Sequence, residues 1–264
     1  MSVPNDDPVL GSAIRIRGEG GAPVNVFELT NSDLTSSSAP LFSVNGPNAG
    51  GGANLTLDIN TLLAMDPSTL ILGGSLLSLS SATLTSTGPV FSLVDSTIEP
   101  VAGPPPPSVP LISLSSAALN VTGAGQSILS LNNSSVEVPG PFIDSTNSNI
   151  TVSGPVVLLQ NGSTLTNTAG PAIRLNGGSL TADALGISSG TGNQVNLTGS
   201  LLDLTTATVT LRTIGDDLPG ANTTVTYTLG TGVPVPKGDD MGAVVGVPRV
   251  KVDAGGAGVA VSLR

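Results

Sequence analysis

Five consecutive segments decide the fold: PLISLSSAALNVTGAG (110–125), QSILSLNNSSVEVPG (126–140), PFIDSTNSNITVSG (141–154), PVVLLQNGSTLTNTAG (155–170) and PAIRLNGGSLTADALG (171–186). Most of them begin at a Gly-Pro corner, and they recur with a period of about 15 residues. The same plan is visible upstream in 39–46, 74–88 and 89–100, and downstream in 199–213. A fixed period with like residues at like positions is the mark of a repeat architecture.

Each repeat unit has two apolar arms joined by a turn. The first arm places apolar residues two and four positions after the corner, as in Ile112/Leu114 and Ile173/Leu175, which is the period of a strand with one buried face. The second arm centres on one apolar residue, and these residues are Leu84, Ile98, Leu119, Val136, Ile150, Leu165, Leu180 and Val209. Turn formers such as Asn161-Gly162 lie between the arms.

This pattern predicts an all-β protein, a parallel β-solenoid (β-helix) with short coils of about 15 residues. An antiparallel meander is the rival, because Asn-Gly between alternating runs is also a hairpin signal. The solenoid is favoured because stacked coils would place each Leu on the Leu of the next coil. We expect three regions: an N-terminal cap or first coils (1–38), the solenoid repeats (39–213), and a C-terminal β cap or assembly segment (214–264).

The composition of the chain limits the classes of partner that we expect for it. Aromatic residues make up 2% of the chain and charged residues 10%, and the formal net charge is −10. No Lys or Arg lies between Arg17 and Arg174, so we expect no nucleic-acid partner. Apolar runs are too short for a membrane helix, so we expect no membrane span. The first residues show neither a basic nor an apolar signal-peptide region.

Catalytic residue types are scarce. The chain has no His and no Cys, which removes the commonest general base and the thiol nucleophile. Gly186-Ile187-Ser188-Ser189-Gly190 matches the G-x-S-x-G pattern, but no His is present to activate a serine. The pairs Asp216/Asp217 and Asp239/Asp240 leave calcium binding open, although solvated loops are the simpler interpretation. We therefore predict no catalytic or metal site and no cofactor, with a polysaccharide-active enzyme as the second alternative.

Two rows of side chains are candidate contact surfaces. A Thr-rich face would be formed by outward residues of the second arms, namely Thr83, Thr85, Thr164, Thr166, Thr181, Thr208 and Thr210. Such a Thr ladder makes ice binding the first alternative function. A lateral apolar stripe would be formed by residues directly after the corner, namely Leu41, Val90, Leu111, Ile128, Phe142 and Val156. The core is the favoured placement if the corner turns these apolar residues inward, and the outward stripe is the alternative.

The units GPVFSLVDSTI (88–98), GPVVLLQNGSTLT (154–166) and GPAIRLNGGSLT (170–181) resemble the repeats of bacterial surface β-solenoids of the haemagglutinin and autotransporter-passenger type. The resemblance spans about residues 39–213 and brings no catalytic residues. It implies export, an extracellular or cell-surface location, and adhesion or fibre formation. The expected function is a non-catalytic structural or adhesive rod that self-associates through its ends or its apolar stripe, with a surface glycan or protein as a further partner.

Overall fold

The computed structural model describes residues 13–15, 24–36, 39–46, 55–102, 108–211, 227–229, 250–252 and 260–263. This part of the chain is all-β and contains no helix. Its strands form two large curled sheets and one small sheet. Every pairing between described strands is parallel, so the antiparallel meander is excluded for these residues.

The first large sheet, sheet 1, has 12 strands. They are β1 (Ala13–Arg15), β3 (Phe42–Asn45), β4 (Leu55–Ile59), β6 (Leu77–Ser80), β7 (Ala82–Ser86), β10 (Ile112–Ser115), β11 (Ala118–Val121), β14 (Ile143–Val152), β17 (Ile173–Ala182), β20 (Leu202–Thr205), β21 (Thr208–Leu211) and β24 (Ala260–Leu263).

The second large sheet, sheet 2, has 10 strands. They are β2 (Phe27–Ser36), β5 (Leu63–Leu72), β8 (Phe91–Val94), β9 (Thr97–Pro100), β12 (Leu129–Asn132), β13 (Ser135–Val138), β15 (Pro155–Gln160), β16 (Thr164–Asn167), β18 (Ala184–Ser189) and β19 (Gln194–Leu197). The small sheet pairs β22 (Tyr227–Leu229) with β23 (Val250–Val252).

The chain alternates between the two large sheets, and this overturns the predicted short coil, in which one repeat unit would make one turn. In sheet 1, Leu119 pairs with Ile150, and Ile150 pairs with Leu180, so paired residues are 31 and 30 positions apart. In sheet 2, Val136 pairs with Leu165, which is 29 positions later. A single repeat unit is therefore one pass along one sheet, and it stacks on the unit two places away in sequence.

The repeat units alternate between the sheets because each unit has an apolar face that must be buried. Both arms of a unit direct their apolar residues to the same side, and a face of that kind must be covered by another apolar face. The next unit supplies this cover from the opposite sheet, and the core lies between the two. The inward residues of both arms are buried, for example Leu84, Leu119, Val136 and Ile150, each fully inaccessible to solvent.

The regular pairing begins before residue 39. Strand β2, which lies in the region predicted to be a cap or the first coils, pairs in register with β5 from Phe27↔Leu63 to Ser36↔Leu72. Strand β24 extends sheet 1 at the other end, where Val261 pairs with Val209. The parallel ladder thus includes residues on both sides of the predicted 39–213 repeat region.

Candidate interaction faces

The turn between the two arms fixes which residues face outward. At most of these turns one residue adopts a left-handed backbone conformation, with φ of 49° at Asp95, 50° at Asn133 and 49° at Asn147. Asn and Asp tolerate this conformation better than other non-glycine residues. The next residue then points inward and is small. We call this turn the Asx corner, and it aligns the second arms as flat, in-register rows.

The inward residue of the Asx corner forms a hydrogen-bonded ladder in sheet 2. The backbone N–H of each ladder residue donates to the side-chain oxygen of the equivalent residue in the next strand. The distances are 3.2 Å for Ser32 to Ser68, 3.0 Å for Ser68 to Ser96, 3.1 Å for Ser96 to Ser134, 3.2 Å for Ser134 to Ser163 and 2.9 Å for Ser163 to Asn193.

Several ladder hydroxyls also donate. Ser96 donates to the carbonyl of Val94 at 2.6 Å, and Ser134 donates to the carbonyl of Asn132 at 2.8 Å. The ladder is buried from Ser68 onward, with Ser134 only 4% exposed, whereas Ser32 at its start is exposed. Along the buried part, these bonds satisfy polar groups that water cannot reach. Sequence reasoning missed this ladder. Its signal is the recurrence of Asn-Ser or Asp-Ser between the arms, as at 31–32, 95–96 and 133–134 in sheet 2, and it recurs at 147–148 in sheet 1.

The structure divides the predicted Thr face between the two sheets. Thr83, Thr85, Thr181, Thr208 and Thr210 lie on sheet 1, whereas Thr164 and Thr166 lie on sheet 2. All seven side chains are partly or fully exposed. The prediction of a single face formed by all seven residues is therefore wrong, because successive units belong to opposite sheets.

The five predicted Thr residues that lie on sheet 1 belong to two parallel rows of side chains. The pairing places Thr83, Ala118, Asn149, Ser179 and Thr208 in one row, and Thr85, Asn120, Thr151, Thr181 and Thr210 in the other. We call these ten residues the uncharged face. Within it, Ser179 donates a hydrogen bond to Asn149 Oδ1 at 2.9 Å. Strands in such a row are about 4.8 Å apart.

The corresponding surface of sheet 2 carries acidic residues. Ile98 pairs with Val136, and the exposed carboxylates of Glu99 and Glu137 follow them on the same side of the sheet. Glu137 pairs next with Thr166. Like charges on adjacent strands repel each other, so this surface differs in charge from the uncharged face although both have the same backbone geometry.

The apolar residues directly after the corner are core residues. Val90, Leu111, Ile128, Phe142 and Val156 are each 6% exposed or less. Leu41 is half-buried and packs against the same core. The structure therefore selects the core placement and removes the lateral apolar stripe as a contact surface, because the corner turns these side chains between the sheets.

Arg174 lies on the first arm of sheet 1 between two carboxylates. It contacts Asp144 at 3.3 Å and Asp203 at 3.4 Å, on the two strands that flank its own. This cation is therefore neutralised along its row and offers little attraction to a phosphate group.

The described residues contain no group of three or more His, Cys, Asp or Glu side chains that could hold a metal ion. The G-x-S-x-G serine, Ser188, lies within strand β18 and pairs with Leu159. A cavity of about 50 Å³ inside the core is lined only by apolar residues and Gly186. The pairs Asp216/Asp217 and Asp239/Asp240 lie outside the described residues.

No helix in the described part of the chain is long and apolar enough to span a membrane. The chain matches no protein-family model, no curated protein and no solved structure at a significant level.

Proposed function

We propose that this protein is a parallel β-solenoid that serves as a non-catalytic structural or adhesive element at a cell surface. The observation that supports this proposal most is the register of the two sheets, in which like residues stack on one another. Such a stack presents long rows of small polar side chains outward. Rows of this kind suit contact with an extended partner better than they suit chemistry on a small molecule.

The length of the strand stack limits the length of the rod that one molecule can form. The path β1-β4-β7-β11-β14-β17-β21-β24 has eight strands, so at about 4.8 Å per step it is roughly 34 Å long. One chain is therefore a short element, and a long fibre would require copies to stack end to end.

The proposal is tested by binding and by assembly state. Purified protein is applied to an array of surface glycans and to intact cells, and its mass is followed by light scattering across a wide concentration range. We expect retention on at least one surface, or growth into filaments visible by electron microscopy. A monomer at all concentrations that binds no surface would contradict the proposal, as would turnover of a glycan substrate.

We infer ice binding as a second candidate because of the uncharged face. Its two rows carry hydroxyl, methyl and amide groups at a regular spacing, and no charged residue interrupts them from Thr83 to Thr210. Charged groups hold their own hydration shells strongly, so a charge-free surface is the better template for an ordered water lattice.

Thermal hysteresis and inhibition of ice recrystallisation test the second candidate. Thr181→Lys places a charge on the uncharged face and should abolish activity, whereas Thr166→Lys on sheet 2 should leave it unchanged. The two variants share the same residue change, and both residues lie at the same outward position of a second-arm strand. An inactive parent protein, or equal losses in both variants, would reject ice binding through this face.

A further inference from the structure

An apolar cavity of about 50 Å³ lies in the core, between the first arms of the two sheets. Phe142 and Ala172 line it from the side of sheet 1, and Val157, Leu185 and Gly186 line it from the side of sheet 2. Among the described residues, no polar side chain lines the cavity. Since a buried water needs two to four polar partners, a cavity with this lining stays dry.

The cavity arises where side-chain volume is lost along two rows of the core. On sheet 2, the inward positions of the first arm pair in the order Phe91, Leu129, Val157 and Gly186, which has no side chain. On sheet 1, Ala172 is the neighbour of Phe142, whose backbone N–H donates to its carbonyl at 2.7 Å, so a methyl group follows a phenyl ring in this row. Both losses of volume border the same cavity.

The second arms prevent the sheets from closing over this space. Leu165 on sheet 2 and Leu180 and Val209 on sheet 1 are each 3% exposed or less, so the core beside the cavity is filled. Strand β17 is one continuous strand of 10 residues that pairs through both arms, with Ile173 in the first arm and Leu180 in the second. Its first arm is therefore held at the separation that the filled second arm sets. Protein cores relax only partly around missing volume, so the cavity remains.

The cavity comes nearest to the surface at the end of the described part of sheet 2. Four of its lining residues are only partly buried, namely Val157, Val195, Leu197 and Leu201, whereas Leu129 on its other side is 3% exposed. Partly exposed side chains change rotamer within picoseconds to nanoseconds. This side of the cavity therefore gives a small guest access without unfolding of the sheets.

The volume of the cavity limits the size of its guest. An engineered apolar cavity of about 150 Å³ takes up benzene or xenon. The cavity of about 50 Å³ has about a third of that volume, so a six-membered ring is too large for it, whereas one xenon atom or the methyl end of an alkyl chain fits. Because the lining side chains are apolar, binding depends on dispersion contacts and on the removal of apolar surface from water.

We propose that this cavity is a binding site for a small saturated hydrocarbon group, the methyl end of a short alkyl chain. Ala172 and Gly186 provide the space, and the partly buried residues at the end of sheet 2 admit the chain. Recognition depends on the size of the guest and on its lack of polar groups. The site lies between the sheets, whereas the uncharged face is on the outer side of sheet 1, so this inference is independent of the proposed function.

Xenon and propane are the probes for the site. The methyl groups of the full chain are isotopically labelled, and their NMR shifts are followed as the pressure of each gas is raised. We expect saturable shift changes at Val157 and Leu185, which line the cavity, and none at Leu84, which lies in the core outside it. No saturable change with xenon would overturn the proposed site. A response to xenon without a response to propane would overturn its assignment to alkyl groups.

Ala172→Val fills the cavity from the side of sheet 1. Ala172 is 1% exposed, so the added methyl groups occupy the space of the guest, and the xenon-dependent shifts at Val157 and Leu185 should be lost. The matched control is Ala118→Val, which adds the same atoms to an outward row of sheet 1 and should leave the shifts unchanged. Equal responses of the two variants to xenon would overturn the proposal.

Gly186→Ala tests the same space from the side of sheet 2, and it keeps the test decisive if Ala172→Val does not fold. The φ of Gly186 is not positive, so an alanine suits its backbone. The added methyl group should raise the xenon pressure needed for half-saturation several-fold. A Gly186→Ala protein that binds xenon as the parent does would contradict the assignment of the site to this part of the core.

Discussion

The two large sheets have different inward residues at their Asx corners. In sheet 2 the inward corner residues from Ser32 to Asn193 form an unbroken chain of side-chain to backbone hydrogen bonds. In sheet 1 the equivalent residues include Ala117, Ser148, Gly178 and Ala207, and of these Ser148 makes such a bond, with the N–H of Ala117. Both series share a left-handed residue followed by a small one. The left-handed backbone is therefore shared by most corners of both sheets, with the corner before Ser68 as an exception, whereas the continuous ladder belongs to sheet 2.

The difference continues on the outer surfaces. On sheet 1, Arg174 lies between Asp144 and Asp203 and compensates their charges. The second-arm rows of this sheet are uncharged from Thr83 to Thr210, and Asp58 continues one of them beyond Thr85. On sheet 2, Glu99 and Glu137 follow paired residues without an intervening cation. Sheet 2 thus has the longer series of side-chain to backbone hydrogen bonds at its corners, whereas sheet 1 has the charge-free stretch of second-arm residues.

The largest expected effect concerns the space at the corners. A Cβ at Gly178 on sheet 1 would overlap the carbonyl oxygen of Ser148, whereas the nearest atom to a Cβ at Gly162 on sheet 2 is Asn133 Oδ1 at 3.7 Å. Both glycines have positive φ, 78° and 83°. Chemical denaturation should show a loss of at least about 3 kcal/mol for Gly178→Ala and about 1 kcal/mol for Gly162→Ala. Equal losses would mean that backbone conformation alone limits both corners.

The second largest effect concerns the change from Ser to Ala at a buried position. We expect it to lower the free energy of unfolding in sheet 2 and to raise it in sheet 1. Ser134→Ala in sheet 2 leaves the buried N–H of Ser96 without its acceptor and should cost about 1–3 kcal/mol of unfolding free energy. Ser145→Ala in sheet 1 removes a buried hydroxyl that has no hydrogen-bond partner, between Leu114 and Leu175, and should stabilise by about 1 kcal/mol.

Ser130→Ala is the control for the ladder substitution. Ser130 lies on β12, the strand directly before Ser134, but its side chain faces outward, so its removal should change stability by less than about 0.5 kcal/mol. If Ser134→Ala were as mild as Ser130→Ala, or if Ser145→Ala destabilised the protein, the assigned roles of the two buried hydroxyls would be wrong.

The smallest effect concerns the charge rows. Arg174→Gln removes the cation between Asp144 and Asp203, and since these side chains are 30–44% exposed the cost should stay below about 1 kcal/mol. Glu137→Gln on sheet 2 relieves a repulsion and should stabilise by a few tenths of a kcal/mol. Both differences should shrink in about 1 M salt, as measured by thermal unfolding, because salt screens exposed charges. A cost for Arg174→Gln that salt leaves unchanged would point to packing of the Arg174 stem instead of charge.

The sequence predicted the local structure well. The period of two within each arm identified the inward residues, and all eight predicted second-arm residues, from Leu84 to Val209, are buried. The all-β class and the parallel pairing followed from the regular repeat, since like residues recurred at like positions. The direction of each side chain depends on the local strand conformation, and the alternation of apolar and polar residues is present within every repeat unit.

The stacking partner could not be predicted in the same way. Thr166 and Thr181 occupy the same position within their units, yet one lies on sheet 2 and the other on sheet 1. Units of both sheets have the same alternation of apolar and polar residues, so the local pattern is identical on the two sides of the core. The repeat period in the sequence is therefore compatible with a turn made of one unit or of two.

The sequence by itself determined which side chains turn inward, because an extended strand sends alternate residues to opposite faces. Only the tertiary structure decided that units two places apart are neighbours, that the residues after the corner, such as Val90 and Ile128, belong to the core, and that Ser134 is a ladder residue while Ser145 has no partner. The physical reason is that an apolar face must be covered by another, and which unit provides that cover depends on how the whole chain closes around its core.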